Sequence, residues 1–347
     1  MSSRYGVERA AIERLVAEWG EPTYRAEQVW HALYEEVVPL EDATALPRAL
    51  RDRLAEALPL ALTSITEASA ADGLTSKWLW AAGDDRAQVE TVLMRSERRA
   101  SVCISSQAGC AMACTFCATG QAGFDRHLDA GEIVEQVVRA GHVSPQRVSN
   151  VVYMGMGEPL ANYEPVWASV ERLHHDLGIS ARRITISTVG VVPGMLRLAE
   201  EALPVTLAVS LHAPDDALRD QLVPLNRRYP LDEVLDAATA VAGAHGRRVT
   251  FEYAGIAGVN DSRAQAAALA DRLARWPGVG GPHVNLIPLN PTEGYRGHSP
   301  RHARLREFAD VLRSRGVPTT IRRNRGLDID AACGQLRARA ITDRAGG

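Results

Sequence analysis

The sequence has no long hydrophobic run. No segment approaches the roughly 18 consecutive apolar residues that a membrane-spanning helix needs. The N-terminal stretch MSSRYGVERAAIERL also places a charged residue inside each apolar stretch. We therefore expect no membrane anchor and no signal peptide, and we expect the protein to be cytoplasmic.

Cysteine is scarce and unevenly distributed. The chain has five cysteines in 347 residues, and a chain of this length can bury a large core without disulfides. Four of them stand in CISSQAGCAMACTFCATG, residues 103–120, and the fifth is Cys333. In a reducing compartment, clustered cysteines more often bind metal or perform chemistry than crosslink a fold.

The sequence also has no strong excess of charge, no low-complexity segment and no short-period repeat. A formal net charge of -3 indicates neither nucleic-acid binding nor its absence. Two basic runs could contact phosphates, RSERRA at 95–100 and IRRNRG at 321–326. From charge alone, a solvated charged face is the simpler interpretation of both.

The pattern of apolar residues divides the chain into three parts. Residues 1–60 have apolar positions at helical spacing and predict a helical accessory domain. In 61–97, the alternating segments SKWLWAA and QVETVLM flank GDDRA, which predicts a β-hairpin connector. In 98–347, six short β-rich runs alternate with helical stretches, which predicts parallel βα units. Six units are too few for a closed eight-fold barrel, so an incomplete (β/α)6 barrel is favoured over a doubly wound sheet.

Polar or glycine-rich groups follow four of the predicted strands. They are GMGEP at 155–159, Ser187, the segment SLH at 210–212, and Asn290. Each alone is explained by ordinary turn chemistry. Because ligands bind at the carboxyl ends of parallel strands, the coincidence of four predicts a site on that rim.

Cys110, Cys114 and Cys117 have the spacing C-x3-C-x2-C. On a helix they would share one face and could be small core residues. Gly109 and Gly120 bracket the segment, however, and favour a loop in which thiolates converge on a metal. Structural zinc takes four ligands, and no histidine lies nearby to complete the set. Three thiolates on a 4Fe-4S cluster would instead leave one iron open to a small molecule.

This motif, with Phe116 before its last cysteine, resembles the signature of radical SAM enzymes. The segment SSQAGCAMACTFCATG resembles in particular the RlmN/Cfr family of RNA adenine methyltransferases. The resemblance covers nearly the whole chain through YRAEQVWHALYEE, YMGMGEPLANY, STVGVVPG, LAVSLHAPDD, LVPLNRRYPL, NLIPLNP and DIDAACGQL. Overall likeness is greater to RlmN than to Cfr.

The resemblance implies a ligand set for two cofactors. Cys110, Cys114 and Cys117 would hold the 4Fe-4S cluster, and S-adenosylmethionine (SAM) would chelate its open iron. The positions that match SAM contacts in the family are Gly157, Glu158, Ser187, Ser210, Leu211, His212 and Asn290. Most of these were already indicated by the strand-end pattern.

The resemblance also implies roles for the remaining cysteines, with two SAM molecules used per turnover. Cys333 would carry the methyl group as S-methylcysteine and become covalently joined to RNA. Cys103 would release the product by forming a transient disulfide with Cys333. Glu90 would accept a proton, and Met154 would lie near the same pocket. From their local sequence alone, Glu90 is a surface carboxylate and Met154 a core residue.

The implied substrates are adenine 2503 of 23S rRNA and adenine 37 of some tRNAs, both methylated at carbon 2. A Cfr-like reaction at carbon 8 of the rRNA adenine, conferring antibiotic resistance, uses the same cysteines and stays open. A non-catalytic iron-sulfur or zinc protein that binds RNA also stays open, although it leaves Cys103 and Cys333 without a role. We further expect a monomer with no membrane partner that receives electrons from an external one-electron reductant such as flavodoxin.

Overall fold

The structure, a computed structural model, describes residues 3–83, 87–322 and 326–336. The predicted hairpin turn at 84–86, part of the basic run IRRNRG and the C-terminal residues 337–347 lie outside the described residues. The N-terminal part is helical, as predicted, with α1 (Arg9–Glu18), α2 (Tyr24–Tyr34) and α3 (Arg48–Ala57). Their apolar faces are buried, so these helices are held by packing.

An antiparallel sheet follows these helices. Its strands are β1 (Leu62–Ser69), β2 (Thr75–Ala82), β3 (Ala87–Ser96) and β4 (Arg99–Cys103). The pair β2–β3 is the predicted hairpin, with Thr75 opposite Met94 and Ala82 opposite Ala87. The sequence did not predict β1, whose residues are mostly exposed or half-buried, because such a strand lacks the alternation that marks a buried face.

The next segment carries the cysteine loop. It contains β5 (Gln107–Gly109), α4 (Ala118–Ala122), β6 (Phe124–His127) and α5 (Ala130–His142). Strands β5 and β6 form a small antiparallel sheet of their own. Helix α5 begins at a capping box, in which Asp129 accepts from the backbone of Glu132 and Glu132 accepts from the backbone of Asp129.

The remaining strands and helices alternate, as predicted. They are β7 (Val148–Tyr153), α6 (Tyr163–His175), β8 (Ile184–Thr188), α7 (Val192–Leu198), β9 (Thr206–Ser210), α8 (Asp216–Leu222), α9 (Leu231–His245), β10 (Thr250–Gly255), α10 (Arg263–Leu273), β11 (His283–Pro288), α11 (His302–Ser314) and β12 (Thr319–Ile321). The six predicted strands are β4, β7, β8, β9, β10 and β11, all parallel. The three-residue strand β12 is a seventh parallel strand that was not predicted, because it is too short to show a period.

All ten main strands form one open sheet in the order β1-β2-β3-β4-β7-β8-β9-β10-β11-β12. Among the described strands, β12 pairs only with β11, so the barrel is incomplete, as predicted. One continuous cluster of buried apolar residues joins Ile12 and Leu33 of the N-terminal helices to Val102, Ile184 and Phe251 of the barrel strands. The N-terminal helices are therefore packed on the same core as the barrel.

Among the described residues, the longest and most apolar helices still fall short of what is needed to cross a membrane.

Candidate active site

The carboxyl ends of the parallel strands surround one cavity. Ten residues that the sequence singled out line it: Cys114, Cys117, Met154, Gly157, Glu158, Ser187, Ser210, His212, Asn290 and Cys333. They come from the cysteine loop, from four strand ends and from the C-terminal loop. The structure thus brings Cys114 and Cys117 of the cysteine loop into one cavity with Cys333.

Four other predicted residues lie outside the lining of this cavity. Cys110 is half-buried next to Cys114 and Cys117, and Leu211 is fully buried behind the rim. Cys103 lies in a small apolar cluster with Val92, Met156 and Leu336. Glu90 is 1% exposed within the sheet, so its interpretation as a surface carboxylate from local sequence is wrong.

The cysteine loop connects β5 to α4, and Cys110–Cys117 is not helical, as the flanking glycines predicted. Ala113 has a positive φ of 52°, which turns the backbone between two of the cysteines. A Cβ on Gly120 would lie 2.9 Å from the backbone nitrogen of Cys114. Glycine is therefore required there for α4 to pack this closely on the loop.

The thiols of the loop are close enough for neighbouring groups to affect the ionisation of Cys110 and Cys114. Burial is the main cause that raises the pKa of Cys110 to about 12, and the nearby Glu158 and Cys117 contribute to the increase. Burial raises the pKa of Cys114 well above its usual range, with further increases from Cys117 and Cys110. Thiolates at Cys110 and Cys114 are thus unfavourable by themselves, and metal cations are the groups that deprotonate and bind such thiols.

The donor set fits an iron-sulfur cluster better than a single metal ion. No three Cys, His, Asp or Glu side chains among the described residues are arranged as ligands of one ion. A 4Fe-4S cluster binds each thiolate through a different iron, so its thiolates lie further apart than the ligands of one zinc ion. This geometry disfavours zinc at the motif.

The segment after β7 has a backbone conformation that requires glycine. Gly157 has a φ of +100°, and an added Cβ would lie 2.6 Å from the Cβ of Gln107. The side chain of Gln107 accepts from the backbone N–H of Glu158 at 2.8 Å. This contact positions the GMGEP segment against the start of the cysteine loop.

Glu158 connects two strand ends. Its carboxylate accepts from the backbone N–H of Leu160 at 3.1 Å and from that of Val189, after β8, at 2.9 Å. Burial nevertheless raises the pKa of Glu158 to about 7. A buried acceptor at the cavity wall suits the polar groups of a ligand such as SAM.

Arg219, on α8, holds the ends of β8 and β9. Its guanidinium is fully buried and donates to the backbone carbonyls of Val189, Ser210 and Leu211 at 2.5 to 3.1 Å. It also lowers the pKa of Cys114. Arg219 lies between the segments LAVSLHAPDD and LVPLNRRYPL, and nothing in their spacing indicated this role.

The loop that carries Cys333 is fastened to the cysteine loop and to the rim. The side chain of Asn290 donates to the carbonyl oxygen of Cys333 at 2.8 Å. The backbone N–H of Ala118 donates to the carbonyl of Gly334 at 2.8 Å, and the Thr119 hydroxyl donates to that of Leu336 at 2.5 Å. These bonds hold Cys333 in the wall of the cavity that Cys114 and Cys117 also line.

Arg322 connects Cys103 electrostatically with Cys333. Burial is the main cause that raises the pKa of Cys103 to about 12; Cys333 contributes to the increase, and Arg322 opposes it. In turn, Cys333 is the largest influence that raises the pKa of Arg322. The guanidinium of Arg322 thus favours the thiolate form of Cys103, which is its nucleophilic form, against the effect of burial.

Glu90 is linked to the Cys333 loop through Lys77. The ammonium of Lys77 donates to Glu90 Oε1 at 3.3 Å and to the carbonyl of Asp330 at 3.2 Å. Sequence reasoning missed Lys77, and it noted Arg322 only as part of a basic run that was interpreted as a solvated face. A lysine before the apolar half of β2 and an arginine directly after β12 are the signals, and neither is specific.

The fold and this site together define a radical SAM protein. A model described as the Radical SAM superfamily matches residues 104–270, which contain the cysteine loop and the ends of β7 to β10. A solved structure described as a radical SAM methyltransferase from Sphaerobacter thermophilus superposes with a TM-score of 0.91 at 48% identity. The match covers 98% of this chain and 100% of that one.

Curated relatives narrow the class to one family. A protein of Frankia alni is 52% identical over 335 residues, covering 92% of this chain and 79% of its own. A protein of Mycobacterium bovis (strain BCG / Pasteur 1173P2) is 51% identical over 336 residues, covering 93% and 91%. Both are named "Probable dual-specificity RNA methyltransferase RlmN". The chain belongs to the RlmN family of radical SAM proteins.

Proposed function

We propose that this protein methylates carbon 2 of adenosines in RNA, using Cys333 as the methyl carrier. The observation that carries the proposal is the shared cavity, which is lined by Cys114 and Cys117 of the cysteine loop and by Cys333. A protein that only bound RNA through an iron-sulfur or zinc site would not need a further cysteine in the same cavity. The names of the relatives support RNA as the substrate.

Two cofactors fit the cavity. Cys110, Cys114 and Cys117 would hold a 4Fe-4S cluster, and SAM would lie against Gly157, Glu158, Ser187, the segment 210–212 and Asn290. When bound, these cofactors supply the one-electron cleavage of SAM. The chain itself positions the reactants and excludes water, and we propose that two SAM molecules are used in each turnover.

Cys333 and Cys103 would act in sequence. The Cys333 sulfur would accept a methyl group, whose carbon then loses one hydrogen atom in the one-electron cleavage of a second SAM and bonds to the base. The Cys103 sulfur would next bond to the Cys333 sulfur as the bond from Cys333 to the transferred carbon breaks; the electron pair of that bond stays on the carbon, which takes up a proton and becomes the methyl group of the product. Arg322, beside both thiols, would favour the attacking thiolate. The resulting disulfide is transient and must be reduced before the next turnover.

Glu90 would accept the proton that leaves the base. It lies within the sheet rather than in the cavity lining, and Lys77 joins it to the backbone of Asp330, three residues before Cys333. A buried carboxylate paired with an ammonium can relay a proton only if the pair is held near the reacting carbon. Its link to the Cys333 loop supports that placement.

The substrates we propose are adenine 2503 of 23S rRNA and adenine 37 of some tRNAs, acted on in the cytoplasm by a monomer. A flipped base would enter the cavity while the helical part, residues 1–60, contacts RNA. An external one-electron reductant such as flavodoxin would supply the electron.

The test distinguishes the cysteine that carries the methyl group, Cys333, from the cysteine that releases the product, Cys103. Protein with Cys103→Ala should accumulate RNA covalently bound at Cys333, because the adduct cannot be released. Protein with Cys333→Ala should carry neither RNA nor a methyl group from labelled SAM. Gel mobility before and after nuclease, with mass spectrometry of the peptide that contains residue 333, measures both. If the two variants behave alike, the assignment of the two cysteines is wrong.

A further inference from the structure

Glu252 is a buried carboxylate in the cavity that none of the preceding steps uses. It lies on β10, in register with Ser210 of β9 and Asn285 of β11. Its side chain lines the cavity, and the residue is 3% exposed. Ala254, two residues further along β10 and therefore on the same face of the strand, also lines the cavity. Glu252 lies deeper in the barrel than Ala254 does.

The two oxygens of this carboxylate differ. Oε1 accepts from the side-chain amide of Asn285 at 2.9 Å. Oε2 is buried and, among the described residues, accepts no hydrogen bond of standard geometry. Burial raises the pKa of the Glu252 carboxyl above its usual value, and the guanidinium of Arg322, the amide of Asn285 and the hydroxyl of Thr250 oppose that increase.

A buried carboxylate oxygen is costly without a donor. Because a carboxylate only accepts, a ligand that fills this part of the cavity must offer an N–H or O–H group. Arg322 is the charged side chain that acts on Glu252; it lines the same cavity and also interacts with Cys333 and Cys103. Because Cys333 is the proposed methyl carrier, we take the target base rather than SAM as the ligand that meets this carboxylate.

Adenine presents an exocyclic amino group where guanine presents a carbonyl oxygen. A carboxylate attracts the first and repels the second. We propose that Oε2 of Glu252 accepts a hydrogen bond from the amino group of the target adenine and so selects adenine over guanine. This inference rests on the proposed function, because it takes the substrate to be an adenosine. Asn285 is the positioning residue that orients the carboxylate.

The test compares two RNAs and two proteins. A 23S rRNA fragment is assembled with either adenosine or purine riboside, which lacks the amino group, at the target position. For the wild-type holoenzyme, purine riboside should lower kcat/KM by about 10- to 100-fold, as expected for one hydrogen bond to a charged group. Glu252→Ala should lose a similar factor on adenosine and should no longer distinguish the two RNAs.

Two further variants control for the shape of the side chain and for the loss of a carboxylate elsewhere in the protein. Glu252→Gln keeps the shape of the side chain and should distinguish the two RNAs less than the wild type does. Glu201→Gln is the matched control: its carboxylate accepts from the Tyr163 hydroxyl at 3.0 Å, away from the cavity, and it should distinguish them fully. If Glu252→Ala does not fold, the comparison is made with Glu252→Gln, and an unchanged ratio overturns the proposal.

Other results overturn the inference in distinguishable ways. Equal losses on both RNAs for Glu252→Ala would mean that the carboxylate only balances the charge of Arg322. Impaired SAM cleavage without RNA, with discrimination retained, would place SAM rather than adenine at Oε2. If the wild type methylates neither RNA, the proposed function fails as well.

Discussion

His212 lies just after β9 and is held in its neutral form by a hydrogen bond and by burial. Its φ is +62°, its ring contacts Phe116 edge-on at 4.8 Å, and its Nδ1 accepts from the backbone N–H of Ala254 at 3.0 Å. Nδ1 is therefore unprotonated. Burial, with a further contribution from Arg219, lowers the pKa of His212 to about 3.

This neutral histidine makes stability depend on pH. Below about pH 6.5, the unfolded chain binds a proton at His212 that the folded chain does not bind, so stability falls as the pH falls. His212→Asn, which tolerates a positive φ, should remove this dependence. Relative to the variant, the wild type should lose about 1.4 kcal/mol between pH 7.5 and 5.5, measured by urea unfolding. Parallel pH profiles for the two proteins would contradict this, because they would show that His212 binds protons equally in the folded and the unfolded chain.

Among single residues, the sequence alone identified those whose residue type or spacing along the chain is unusual. The clustered cysteines and the strand-end polar groups were found in this way. Glu252 and Lys77 were not, because a single charged residue in an apolar strand gives no indication of its partners. Glu90 was assigned a role only through family resemblance, since its burial depends on how β3 packs.

The loop that carries Cys333 depends on contacts with α4. The Thr119 hydroxyl donates to the Leu336 carbonyl, and α4 begins directly after the last cysteine of the motif. Movement of this loop would therefore change the distance between Cys333 and the cysteine loop, while the proposed SAM-binding residues other than Asn290 would stay in place. A 1 Å displacement can be costly when two reacting groups must meet.

Thr119→Val tests this arrangement. It should lower the rate of methyl transfer to RNA by about 5- to 10-fold, as expected for the loss of one neutral hydrogen bond, while SAM cleavage without RNA stays near the wild-type rate. The matched control is Thr66→Val on β1, because the buried Thr66 hydroxyl has no hydrogen-bond partner among the described residues. Equal losses in both activities would indicate that Thr119 supports the cysteine loop itself.

Elements with a clear period or length were predictable, and the others were not. The helical stretches and six parallel strands follow from their apolar patterns. Strand β1 has one mostly exposed face, and β12 has three residues, so neither has a pattern of its own. Both form because a neighbouring strand offers an unpaired edge, which is information that a local sequence does not contain.

The whole molecule is held together across the junction between the N-terminal helices and the barrel. Arg172 on α6 donates to the carbonyls of Tyr5 and Val7 and to the hydroxyl of Tyr34. These bonds supplement the apolar cluster that the helices share with the strands. The sequence predicted separate parts at 1–60 and 98–347 but could not show this shared core, which depends on tertiary packing.

Arg172→Gln should weaken this junction. We expect a loss of about 1.5–3 kcal/mol in the free energy of unfolding, typical of hydrogen bonds to a charged group, and faster hydrogen exchange in α1 and α2 than in β7 to β10. Arg306→Gln, on the exposed face of α11, is the matched control and should change neither. Uniformly faster exchange throughout the chain would show that the helices and the barrel unfold as one unit.

The central claim is methylation of adenine at carbon 2, and the product itself tests it most directly. The same cysteines could serve methylation at carbon 8, because the choice depends on how the base is rotated beneath the transferred carbon. The gene is expressed in a host that lacks its own enzyme, and nucleosides from 23S rRNA are analysed by mass spectrometry. We predict 2-methyladenosine, absent when Cys333 is replaced by Ala; 8-methyladenosine, or no methylated adenosine, would contradict the account.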